Sequence, residues 1–191
     1  MHFEKITYDQ WLTEMSKYFG KLDDKTVSEI KKMYDDIKLP QRATKHSAGY
    51  DFFIPADINI PMEQYALIPT GVRWVCDKEE DKDKVLMLYP RSGQGFKTGM
   101  RLANTVGVID ADYYEADNGG HIMVKMYNPM NLHSNPTGNI KIEGGTAFAQ
   151  GVITKFYTCD NEEDIETERT GGMGSTDEPI DVEYEEVNES N

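Results

Sequence analysis

Cysteine is scarce in this chain of 191 residues. Cys76 and Cys159 have neither metal-ligand spacing nor a disulfide framework around them, which excludes a stapled secreted scaffold and predicts reduced thiols in a cytoplasmic setting. Long apolar runs are missing too. Polar residues interrupt every apolar stretch well before the roughly 18 needed to cross a bilayer, and no basic segment followed by an apolar one opens the chain, so neither membrane nor export is expected. Positive charge is in deficit: 20 Lys and Arg stand against 34 Asp and Glu, a net charge of −14. That sign is wrong for wrapping a nucleic-acid backbone through counterion release, and no nucleic-acid partner is expected. What remains, 38% hydrophobic and 28% charged residues, is the composition of a folding globular chain with one core.

Residues 1–38 have helical texture. Trp11, Leu12, Met15, Tyr18, Phe19 and Leu22 share one stripe of a 3.6-residue helix, and Thr7 with Gln10 has capping-box spacing. Val27, Ile30, Met33, Tyr34 and Ile37 form a second stripe, with Thr26 and Glu29 spaced as its capping box. The spacing predicts a helical hairpin docked on the main domain or on a neighbouring subunit, since two short helices cannot bury their own stripes. Beyond Pro40, seven runs rich in branched and aromatic residues read as strands: 50–54, 65–68, 72–75, 85–89, 106–109, 122–127 and 147–156. No convincing helix separates them, which points to an antiparallel sandwich or barrel of jelly-roll kind. DKEEDKDK at 77–84 reads as a solvated hairpin tip. The last fifteen residues, 177–191, carry seven acids and no base and are expected to be a disordered tail.

Four loop-like segments join glycine to polar residues. HSAGYDFF (46–53) sets Asp51 after Gly49. YPRSGQGFKTG (89–99) brings Arg91, Ser92 and the amides near Gly93 together as anion donors. RLANTVGVIDADYYEADNGG (101–120) places an amide at Asn104, a carboxylate at the strand rim at Asp110 and a ring at Tyr113, a set suited to a small planar ligand. TERTGGMGST (167–176) offers free amides beside Arg169 and Ser175, the composition of a phosphate-binding lid.

In order and spacing, AGYD, PRSG, NTVGVIDADY, GGTAFAQ (144–150) and GGMGST resemble the five motifs of the trimeric dUTPases, over roughly residues 39–176. The resemblance implies a mainly β, dUTPase-like jelly-roll barrel (39–160) behind the helical extension (1–38), then a glycine-rich closing arm (161–176) and the acidic tail. It implies hydrolysis of dUTP to dUMP and pyrophosphate, which limits uracil in DNA and supplies dUMP for dTMP synthesis. By the same likeness Asp110 is the general base, and Asp51 holds Mg²⁺ through water. Asn104 pairs with the uracil edge, Tyr113 packs under the deoxyribose, and close backbone around Gly107 excludes a 5-methyl group. Arg91, Ser92, Gly93 and Gln150 resemble the phosphate-binding residues of the second and fourth motifs, and Arg169, Gly174, Ser175 and Thr176 those of the closing arm. The likeness also implies a homotrimer with shared sites, and the helices or the tail as a place for a protein partner.

The chain departs from the family pattern in three places. YEADNGG (114–120) enlarges the turn after Tyr113, Thr146-Ala147 replaces an acid and a base, and Met173 stands where the arm's stacking phenylalanine is usual. Either Tyr114, Phe96 or His121 is expected to supply the missing aromatic, or the lid is weak. Two other readings stay open: a nucleotide-binding regulatory protein on the same scaffold, and a dCTP deaminase, whose catalytic glutamate is here Lys125.

Overall fold

Thr7 opens the first helix by the reciprocal cap that its spacing predicts: its hydroxyl accepts from the Gln10 amide while the Gln10 side chain accepts from the Thr7 amide. The computed structural model describes residues 1–130, 138–162, 167, 169, 171 and 172. In it α1 (Tyr8–Ser16) leads to α2 (Asp24–Asp36). α1 is shorter than its stripe, because the Lys17 and Tyr18 amides reach back three residues instead of four and close the helix, leaving Tyr18 and Leu22 about half exposed. α2 starts at Asp23 in place of Thr26. The Asp23 carboxylate accepts from both the amide and the hydroxyl of Thr26 at 2.9 Å, which makes aspartate the cap.

The strands in chain order are β1 (His2–Lys5), β2 (Gln41–Arg42), β3 (Gly49–Phe53), β4 (Ile58–Ile60), β5 (Tyr65–Pro69), β6 (Val72–Val75), β7 (Lys84–Pro90), β8 (Arg101–Leu102), β9 (Gly107–Asp110), β10 (Met123–Tyr127), β11 (Ile140–Ile142) and β12 (Ala147–Lys155). They pair antiparallel in the orders β2-β3-β12-β7-β9, β5-β10-β8, β11-β4 and β1-β6. The chain is thus mainly β, in the jelly-roll manner. The seven runs read from sequence are all strands. β1, β2, β4, β8 and β11, of two to four residues, are too short to show alternation. A further helix, α3 (Ser92–Thr98), lies where a glycine-rich loop was expected.

β6 and β7 do not pair with each other. β6 lies against β1, and β7 lies between β12 and β9, so 77–84 crosses between sheets and is not a hairpin tip. Asp81 within it is buried and ion-paired with the Met1 amino group.

The helices dock on their own chain. Trp11, Ile30 and Ile37 are buried in one core with Phe52, Val72 and Phe148, and the Trp11 indole N–H donates to the Ile30 carbonyl at 3.1 Å. Gly71 at φ +73° lets them approach, since a Cβ there would lie 2.3 Å from Ile37 Cδ1. No helix among the described residues is long and apolar enough to cross a membrane.

His121 closes this junction. Its Nε2 accepts from the Gly71 amide at 2.9 Å, and its ring centroid is 6.3 Å from that of Trp11. An accepting nitrogen requires the neutral ring, and burial pushes the imidazole down from 6.5 to about 4. The unfolded chain therefore takes up the proton first as pH falls. The contribution to stability is complete above 6.5 and is lost between 6.5 and about 4. That loss amounts to about 3 kcal/mol. His121→Gln keeps an acceptor and removes the titration, so the gap in unfolding free energy between wild type and variant, measured in urea, should narrow across this window. A gap independent of pH would mean that the ring is not held neutral.

Candidate active site

The expected site residues emerge as two groups beside β7. The first stands at its carboxyl end. Strand register sets Asp51 of β3 beside Gln150 of β12, and Gln150 beside Tyr89 of β7. Pro90 then turns the chain, and Arg91 caps α3 with extended backbone while its Nε lies 3.2 Å from Asp51 Oδ1. Gln150 Nε2 donates to the Pro90 carbonyl at 3.3 Å, which ties its amide to the same corner. Ser92 and Gly93 open α3, where the first amides have no acceptor within their own helix. A guanidinium, an amide side chain and free N–H groups make a corner for anionic oxygens, with one carboxylate at its side.

The second group surrounds a cavity of about 480 Å³ whose walls include Asn104, Gly107, Asp110, Tyr113, Arg169 and Gly172. Asn104 lies exposed in the tight turn between β8 and β9, where Thr105 is held at φ +66° and the Val106 amide reaches back to the Asn104 carbonyl at 2.7 Å. Gly107 faces Leu88 across the pair, and a Cβ there would sit 3.1 Å from Leu88 Cβ. Asp110 ends β9 opposite Val85, with its side chain half exposed. Lys125 of β10 lines the same cavity, its Nζ 4.9 Å from the Tyr65 ring centre.

Tyr113 is buried in a 3-10 turn (Tyr113–Glu115), where its hydroxyl donates to the His121 carbonyl at 3.2 Å and accepts from Asn118 Nδ2 at 3.0 Å. Burial raises the phenol above its usual range, so the ring is a neutral, fixed wall. The enlarged turn has a structural cause: Gly119 and Gly120, at φ +69° and +71°, fold it back so that Asn118 reaches Tyr113.

Two residues that the sequence reading missed help to hold the site. Asn118 fixes Tyr113, and Asp112 Oδ1 accepts from Arg169 Nε at 2.8 Å while Arg169 Nη2 meets Asp110. The spacing of two acids in IDAD was the available signal for Asp112. Of the three aromatics proposed to replace the arm's phenylalanine, His121 is excluded because it is buried at the helix junction. Tyr114 packs against the core, and Phe96 stands 93% exposed on α3. Gly174, Ser175 and Thr176, like Met173 and the acidic tail, lie outside the described residues.

Arg91 and Asp110 do not meet within one chain. Arg91 follows β7, and Asp110 faces Val85 six residues earlier, which at the strand rise separates them by about 20 Å.

Comparison with known proteins agrees on one family. The dUTPase family model matches residues 35–177. The deoxyuridine 5'-triphosphate nucleotidohydrolase of Lactococcus lactis subsp. lactis is 40% identical over 142 residues, covering 73% of this chain and 88% of the relative. That of Nautilia profundicola is 36% identical, covering 78% and 96%. Among solved structures, the dUTPase from Streptococcus mutans superposes with TM-score 0.59 and 31% identity, over 84% of this chain and all of that one.

The turn that carries Tyr113 gives a direct test. A Cβ on Gly120 would lie 2.4 Å from Tyr114 Cα at a backbone angle that side chains rarely adopt. Gly120→Ala should cost about 3 kcal/mol of unfolding free energy in urea. Gly93→Ala, with nothing within 4 Å of its Cβ, should be neutral or slightly stabilising.

Proposed function

The chain belongs to the dUTPase family, and from that premise we propose that it hydrolyses dUTP to dUMP and pyrophosphate, with Asp110 as the base. The observation that carries the reading is the single cavity in which Asn104, Gly107, Asp110 and Tyr113 come together. An amide there offers a donor and an acceptor to the uracil edge, where cytosine presents the wrong pair. The Tyr113 ring, fixed through its hydroxyl, forms a floor for the deoxyribose that leaves no space for a 2′-hydroxyl. The β9 backbone at Gly107 lies too close to the base to admit a thymine methyl group. Asp110, at the rim, takes a proton from water as the water oxygen attacks the α-phosphorus. The α–β anhydride bond breaks, and pyrophosphate leaves with the electron pair.

Mg²⁺ fits the other group. Among the described residues no three His, Cys, Asp or Glu side chains converge as a metal cage. This ion binds by preference through one or two carboxylates, water and substrate phosphates, so a lone Asp51 beside Arg91 suits contact through water. When bound, the ion would neutralise phosphate charge. Arg91, Ser92 and Gln150 would orient the phosphates around it. Lys125 puts an amine where a deaminase would need its acid, which argues against ammonia release from dCTP.

The separation of about 20 Å between Arg91 and Asp110 along β7 exceeds what one nucleotide spans between its sugar and its phosphates. The two groups therefore belong to sites completed by another copy, and a homotrimer with shared sites is the assembly proposed. In the cell this activity would keep uracil out of DNA and supply dUMP for dTMP synthesis.

Pyrophosphate release should be fast with dUTP and absent with dTTP, UTP and dCTP, and Asp110→Asn should abolish it. Asp110→Asn and Arg91→Ala should each be inactive alone. Co-refolded in equal amounts, they should regain about a quarter of wild-type activity, because mixed assemblies combine an intact Arg91 with an intact Asp110. No recovery would place both residues in one chain's site.

A further inference from the structure

Asp112 occupies the cap position of the 3-10 turn Tyr113–Glu115, yet its side chain makes no capping bond there. Aspartate at such a position ordinarily accepts from a turn amide. Here the carboxylate turns outward and takes Arg169 Nε at 2.8 Å, while Nη2 of the same guanidinium meets the Asp110 carboxylate. The guanidinium carbon stands 5.6 Å from the Tyr113 ring centre. Arg169 is thus pinned on three sides and is 20% exposed, although both aspartates are 51% exposed. Two other described cations line the cavities beside this cluster, and both are engaged elsewhere: Lys82 is 3.0 Å from Glu79, and Lys125 Nζ lies over the Tyr65 ring.

A guanidinium in this place has two effects on the proposed reaction. It occupies a carboxylate oxygen of the base, which a water molecule would otherwise meet. It also covers the ring face against which the deoxyribose would pack. We propose that Asp112 is a positioning residue that holds Arg169 over Tyr113 and Asp110, so that a nucleoside triphosphate binds by drawing Arg169 from the two carboxylates to its own phosphates. The inference rests on the reading of Asp110 as the base and adds to it a contact that the substrate must displace. Arg169 gives one nitrogen to each carboxylate, and the same two donors can take phosphate oxygens as a fork. Asp112 sets how firmly Arg169 is held, because it binds the guanidinium without touching the nucleotide.

The test is Asp112→Ala, read in two ways. Arg169 is the only trypsin site after Lys155, so limited trypsinolysis of the nucleotide-free protein, followed by mass spectrometry, reports its accessibility as release of the segment from Thr170 to Asn191. The variant should be cut several-fold faster. Its KM for dUTP should fall about 3- to 5-fold, the scale of one exposed charge-assisted pair, while kcat stays within about twofold. An unchanged cutting rate would mean that Asp112 does not hold Arg169. Faster cutting with an unchanged or higher KM would mean that the held arginine does not compete with substrate, and either result overturns the proposal. Proteolysis needs no turnover, so a failed base assignment, seen as an active Asp110→Asn, is told apart from a failed parking contact.

Discussion

The register of β7, with β12 on one side and β9 on the other, governs where each functional group stands. A slip of one residue would turn every side chain of β7 to the opposite face and carry Arg91 away from Asp51. Close packing prevents the slip. Gly151 in β12 sits under Leu86 and Phe52, where a Cβ would lie 2.7 Å from Leu86 Cδ1, and Gly107 in β9 leaves only enough space for Leu88. Two glycines therefore let the central strand seat its leucines, and the seated leucines set the distance between the Arg91 corner and Asp110 at the rim of the cavity. The proposal of a shared site rests on that distance.

The turn from Tyr113 to His121 ties the site to the helices. One face of it holds the Tyr113 hydroxyl on the His121 carbonyl. The other places the His121 ring between Trp11 and the Gly71 amide. The N-terminal helices thus brace the wall of the Tyr113 cavity through His121 and through Gln10, which packs on Gly119, and this gives the helical extension a structural role beyond covering apolar surface. The same histidine makes that brace sensitive to acid, because its neutral form is the one that fits.

Much of this was legible in residue order. Seven of the strands followed from branched and aromatic runs, and the Thr7–Gln10 cap from its spacing. Asn104, Asp110 and Tyr113 followed from one motif, since residues so near in sequence stay near on a hairpin. Other features were not legible. β1 and β11 are too short for a period to show, and α3 contains two glycines that speak against a helix. Asp23 displaced Thr26 as a cap because its carboxylate takes both the amide and the hydroxyl of Thr26 and so starts the helix one turn earlier. His121 offered no signal at all: a histidine beside glycines reads as a loop residue until the helices are seen to close over it.

Local order alone was sufficient to say which segments are strands, which side chains share a turn and what chemistry those side chains can do, because periodicity and turn geometry act over a few residues. Folding in three dimensions was needed to choose partners: β6 with β1 instead of β7, Arg169 with Asp110 and Asp112, His121 with Gly71 and Trp11. Such pairings join residues 50 to 110 apart in the chain, and they depend on close packing of the whole core, which no short stretch of residues contains.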